Sequence, residues 1–167
     1  PVEEPAAVPA AERGKDSTGG EAAYQEEESI VMDALSRLQA KVEEEIGESD
    51  PDARYNLGIA FKEMGLLDEA IGEFRHARQK PELFVGASSL LADTLAAKGD
   101  FPAALAVLDE VLASGTLAEE EGRNVRYQKA VLLSGEGKDE EANEILLSIH
   151  RETPQYMDVA SRVERHR

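Results

Sequence analysis

The sequence predicts an all-α fold, an array of three helical hairpins between a leading helix and a terminal helix. Composition, hydrophobic spacing and an internal repeat carry that prediction. Ala, Leu and Glu recur throughout, aromatic residues make up 5%, and Trp and Cys are absent. That balance favours packed helices over sheets built on β-branched and aromatic pairs. Apolar residues return at steps of three and four, the spacing of one helical face. Finally, Gly65, Gly99 and Gly137 are each followed five residues later by Ala70, Ala104 and Ala142, at intervals of 34 and then 38 residues. A chain of 167 residues can bury such a core without disulfide or metal staples.

The elements follow in order. Residues 1–24 hold Pro1, Pro5, Pro9 and the Gly19-Gly20 pair with almost no large apolar side chain. They read as a flexible acidic linker, since so little burial cannot offset the entropy of ordering. The domain proper is expected over 25–167. From 25 to 46, Ile30, Val31, Ala34, Leu35, Leu38, Val42 and Ile46 share one face of a leading helix. It either caps the array or lies in its groove.

Asp50 is placed to cap the next helix, with Pro51 at its first position. The hairpins are expected at 51–80, 81–115 and 116–150. The four additional residues of the longer interval are assigned to 113–116, where Gly115 ends one helix and Thr116 with Glu119 forms a capping box for the next. Thr153 and Pro154 open a terminal capping helix over 153–166, carrying Tyr156, Met157, Val159, Ala160 and Val163. A repeat array needs such an end, because its last hairpin otherwise exposes an apolar face.

The segment YNLGIAFKEMGLLDEAIGEFRHA, Tyr55 to Ala77, resembles the tetratricopeptide repeat consensus. Gly58 and Ala70 stand where two helices cross closely, Leu57, Phe61, Leu67 and Phe74 where large residues fill the space between them, and Ala77 where the next hairpin approaches. The second unit offers Leu91, Ala92, Leu95, Gly99, Phe101, Ala104, Leu108 and Val111. The third keeps Ala130, Leu133, Gly137, Ala142, Leu146 and Ile149 but carries Lys129 where a large apolar residue is usual. The string FKEMGLLDEAI also resembles tetratricopeptide segments of bacterial scaffold proteins.

The resemblance implies a right-handed αα superhelix and a protein-interaction role. The first helix of each hairpin would line a concave groove for a partner peptide or helix, formed here by Tyr55, Ile59, Lys62, Ser89, Asp93, Tyr127 and Val131. Chaperone-binding members of the family clamp a carboxylate with Lys, Arg and Asn. Tyr55, Ile59 and Leu90 occupy such positions here, so that role is not expected. Two alternatives stand beside the adaptor: a self-associating structural module, and the regulatory arm of a larger protein. The opening at Pro1 rather than Met fits an excised piece of a longer chain.

Charge and missing motifs narrow the chemistry. Residues 1–50 carry 14 Asp/Glu against 4 Lys/Arg, so that segment holds 10 of the 17 net negative charges. Such an excess disfavours nucleic acid and anionic membrane surfaces and favours a neutral or basic protein partner. The C-terminal Arg162, Arg165, His166 and Arg167 suit a helix end. No apolar run approaches the length of a membrane span and no signal-peptide pattern opens the chain, so a soluble, cytoplasmic protein is expected. His76, His150 and His166 lack a second ligand at metal-binding spacing. The string SGEGKDEE, Ser134 to Glu141, fails the phosphate-loop pattern at Leu132 and Asp139. The acidic triplets at 26–28, 43–45 and 119–121 lack the alternation of a calcium loop. No catalytic residue, metal or cofactor is therefore expected.

Overall fold

The computed structural model describes residues 50–165 continuously, preceded by 29–31, 33, 34, 36, 37, 40, 41 and 44. The chain divides into two compact units, 1–48 and 49–167. The expected linker at 1–24 lies outside the described residues, as do Leu35, Leu38, Val42 and Ile46 of the leading helix and His166 and Arg167 at the other end.

In the first unit the described residues between 29 and 44 are helical and form α1. Asp33 and Arg37, one turn apart, make a 2.8 Å ion pair. Ile30 and Val31 are 68% and 56% exposed.

The second unit is all-helical among its described residues. It runs α2 (Pro51–Glu63), α3 (Leu67–Ala77), a 3-10 turn (Pro81–Leu83), α4 (Phe84–Ala97), α5 (Phe101–Ala113), α6 (Glu119–Glu136), α7 (Asp139–Glu152) and α8 (Val159–Arg165). Each α-helix packs on the next one, and α4 also touches α2 and α6. Among the described residues no helix is long and apolar enough to cross a membrane.

One backbone device repeats three times. Gly65, Gly99 and Gly137 have φ of +79°, +91° and +87°, a left-handed conformation that costs glycine little. The residue after each glycine donates its N–H back to the carbonyl five residues earlier: Leu66 to Phe61, Asp100 to Leu95 and Lys138 to Leu133, at 2.8–2.9 Å. This is the Schellman arrangement that ends a helix while satisfying its last carbonyls. Each glycine thereby turns the chain into a second helix whose Ala70, Ala104 or Ala142 is completely buried.

The crossing within each hairpin is equally local. A Cβ on Gly58 would lie 2.6 Å from a ring carbon of Phe74, so glycine is required there. The equivalent residues Ala92 and Ala130 are fully buried in hairpins whose large residue is Leu108 or Leu146 rather than Phe. One continuous core results, running from Phe61 and Phe74 through Leu91 and Leu108 to Leu133, Leu146 and Ile149. Burying each such side chain contributes about 1.5–3 kcal/mol.

Helix starts show where the spacing succeeded and where it misled. Asp50 Oδ1 accepts the N–H groups of Asp52 and Ala53 at 3.0 and 3.2 Å, and Asp100 Oδ1 that of Ala103 at 3.1 Å. The expected box of Thr116 and Glu119 does not form. Thr116 pairs with the Ser114 hydroxyl at 3.1 Å, and α6 starts later, where Glu121 Oε2 accepts the Ala118 N–H at 2.9 Å. The terminal helix also begins late. Residues 153–158 form turns, with Tyr156 N–H donating to Thr153 and Val159 N–H to Tyr156, both at 3.1 Å. Of the residues assigned to its buried face, Val159 and Val163 are buried and Tyr156 is partly so, whereas Met157 and Ala160 are exposed.

Lys129 keeps the third hairpin in register despite its charge. Its stem is partly buried and its ammonium reaches Asp109 on α5, so the apolar part fills the position while the head stays solvated.

Candidate functional site

The first helices of the three hairpins, α2, α4 and α6, present equivalent positions at the repeat interval. Tyr55, Ser89 and Tyr127 share one, and Ile59, Asp93 and Val131 share another; all six are partly buried. Elsewhere on these helices the small residues Gly58, Ala92 and Ala130 sit inside the hairpins, which leaves this face turned away from the closest crossings.

Asp93 is the centre of the site. Gln128 on α6 donates its side-chain amide to Asp93 Oδ1 at 2.7 Å and to the Ser89 carbonyl at 2.8 Å. Lys62 on α2 places its ammonium 3.9 Å from Asp93 Oδ2. A single carboxylate thus joins three first helices in one polar row. Lys62, Ser89 and Asp93, singled out in the sequence, come together there. Gln128 completes the row, and nothing in the spacing distinguished it, because a polar residue on a helix reads as solvated surface.

The other expected residues have separate surroundings. The Tyr55 ring meets Phe74 edge to face, 6.3 Å between centroids. Ile59 packs against the core from its margin, and Val131 is partly buried. Tyr127 is drawn toward the C-terminal segment instead. Its hydroxyl donates to Asp158, its ring meets that of Tyr156 at 6.0 Å, and the Arg162 guanidinium lies 5.7 Å from its centroid. Burial, reinforced by the Asp158 carboxylate, pushes the Tyr127 phenol above its ordinary pKa. Hydrogen bonds from Tyr127 and Arg162 hold Asp158 below the usual carboxylate range.

The row combines a carboxylate, an amide and an ammonium that bond to one another, beside the partly buried Ile59 and Val131. Among the described residues no group of three or more His, Asp or Glu is placed to hold a metal ion. No protein-family model matches the chain, and no curated protein matches it.

Proposed function

We propose that this chain is a non-enzymatic interaction scaffold. In this reading its hairpins form a right-handed αα superhelix of the tetratricopeptide kind, and a partner peptide or helix lies along the face shared by α2, α4 and α6. The observation that supports it is the Asp93 row, in which Lys62 of α2, Asp93 of α4 and Gln128 of α6 meet across three successive first helices. Ile59 and Val131 supply apolar contact on either side, the combination of anchor and polar positioning that peptide grooves use.

The test is capture of partners from native-host extract by the wild-type chain and by an Ile59→Glu, Val131→Glu variant, with helicity checked by circular dichroism. A partner retained by the wild type and lost by the folded variant supports the groove. Equal capture by both places the binding surface elsewhere. Tyr55 is a poorer probe, because its ring also packs on Phe74.

A second reading, self-association, is supported by the exposed Ile30 and Val31 on α1. A sedimentation coefficient independent of concentration would remove it.

A further inference from the structure

The repeat interval lengthens from 34 to 38 residues between the second and third hairpins, and the lengthened connection walls a cleft. The cleft, about 710 Å³, lies between two connections that each lead from a second helix into the next first helix. One side is the start of α4, with Phe84, Val85 and Gly86; the other carries Ser114 and Thr116 of the longer loop. That loop is held open by its own bonds. The Ser114 hydroxyl reaches the Val111 carbonyl at 2.7 Å and pairs with Thr116, while Gly115 takes φ +69°.

The cleft's charge is lopsided. Arg78 lies in its wall, its guanidinium 2.8 Å from a Glu110 oxygen, without hydrogen-bond geometry at that nitrogen, and over the Phe84 ring, 5.2 Å from the centroid. Glu82 and Glu121 stand exposed at the rim. The Glu121 carboxylate accepts the Ala118 N–H at 2.9 Å. An apolar floor is therefore rimmed by two carboxylates, with Arg78 beside Glu110 and the Lys80 ammonium bonded to Asp52 while also facing the charge of Glu82. Lysine or arginine on a ligand would meet a net negative rim there.

We propose that this cleft binds a basic peptide segment, an apolar side chain seating against Phe84, Val85 and Gly86 while flanking Lys or Arg residues meet Glu82 and Glu121. The site is separate from the Asp93 row and stands without it.

The probe is a short synthetic peptide with one Phe between Lys and Arg residues, titrated into the full chain labelled with ¹⁵N, beside a twin carrying Glu in place of every Lys and Arg. The expected result is saturable shifts at the amides of Phe84, Val85, Gly86 and Thr116 with the basic peptide and none with its acidic twin. Glu82→Lys should weaken binding about fivefold or more. Thr116→Arg should abolish it by setting a cation in the cleft wall. Folding should survive Thr116→Arg, because Thr116 is exposed, and its melting temperature checks this.

No saturable shift up to about 1 mM peptide, or equal binding of both peptides, overturns the proposal. So does undiminished binding to a folded Thr116→Arg chain. Shifts at these amides that grow with protein concentration alone would assign the cleft to a second copy and overturn it too. Shifts confined to Asp93 and Gln128 would reject the cleft and leave the groove reading intact. Loss of groove capture in the Ile59→Glu, Val131→Glu variant with peptide binding preserved would separate the two sites.

Discussion

The first and third hairpins share a backbone plan and fill it with different chemistry. Arg54 on α2 and Arg126 on α6 occupy the same repeat position. Arg54 is buried and gives one nitrogen to both oxygens of Glu73 at 3.1 Å, the two side chains only 10% and 13% exposed. Arg126 instead turns outward to Glu152, in a pair 30% and 40% exposed. In the second hairpin the matching positions are Ser88 and Val107, and no ion pair is needed. The repeat therefore specifies turns and crossings tightly and leaves the remaining interior to be filled by any group that packs. The difference also decides cost: a desolvated pair is expensive to break, whereas a solvated one is nearly free.

The largest expected effect follows from that contrast. Arg54→Ala strands the Glu73 carboxylate in a buried site and should cost about 3 kcal/mol in urea unfolding. Replacing the pair with the second hairpin's residues, Arg54→Ser with Glu73→Val, should recover most of that loss. If the double variant were no better than the single one, the positions would not be interchangeable and the repeat equivalence would fail.

Next in size is the crossing. Gly58→Ala drives a methyl to 2.6 Å from Phe74 and should destabilise by about 1–3 kcal/mol, even though alanine is the better helix former. Phe74→Leu, which copies hairpins two and three, should make the Gly58→Ala change tolerable. Thermal melts of the single and double variants measure that coupling.

Smallest is Arg126→Ala, for which an unfolding shift near the limit of detection is expected, since Glu152 stays in water. Its pH signature is more informative. Arg126 holds Glu152 below the ordinary carboxylate range, and Tyr127 and Arg162 do the same for Asp158. Groups with depressed folded values stabilise above their unfolded pKa, and that contribution disappears as pH falls through the folded value. Acidification through and below the usual carboxylate range should therefore loosen the contacts of 153–165. The Tyr127 and Tyr156 ring signals in NMR report this directly, and ring signals unchanged across that range would contradict it.

Much of this fold was legible because its determinants are local. A left-handed residue at a fixed distance from a small buried one needs Gly65 and Ala70, and recurrence at 99 and 137 makes the pattern unmistakable. Helix caps were legible where Asp preceded Pro, as at Asp50. They were misread at Thr116, whose hydroxyl had a nearer partner in Ser114. The Arg54–Glu73 pair was invisible, since two charged residues 19 positions apart read as surface until the fold brings them together. The candidate site was half visible. The family resemblance named Lys62, Ser89 and Asp93, whereas Gln128 owes its contact to reach from α6 to α4, and Tyr127 was claimed by a C-terminal turn that the spacing had read as helix.

The most direct test of the scaffold reading is hydrogen exchange of the chain with and without its captured partner. Protection gathered on the helical segments around Ile59, Asp93, Gln128 and Val131, lost in the Ile59→Glu, Val131→Glu variant, is the result expected of a ligand along the first-helix face. Protection confined to other surfaces, or unchanged in that variant, would contradict it.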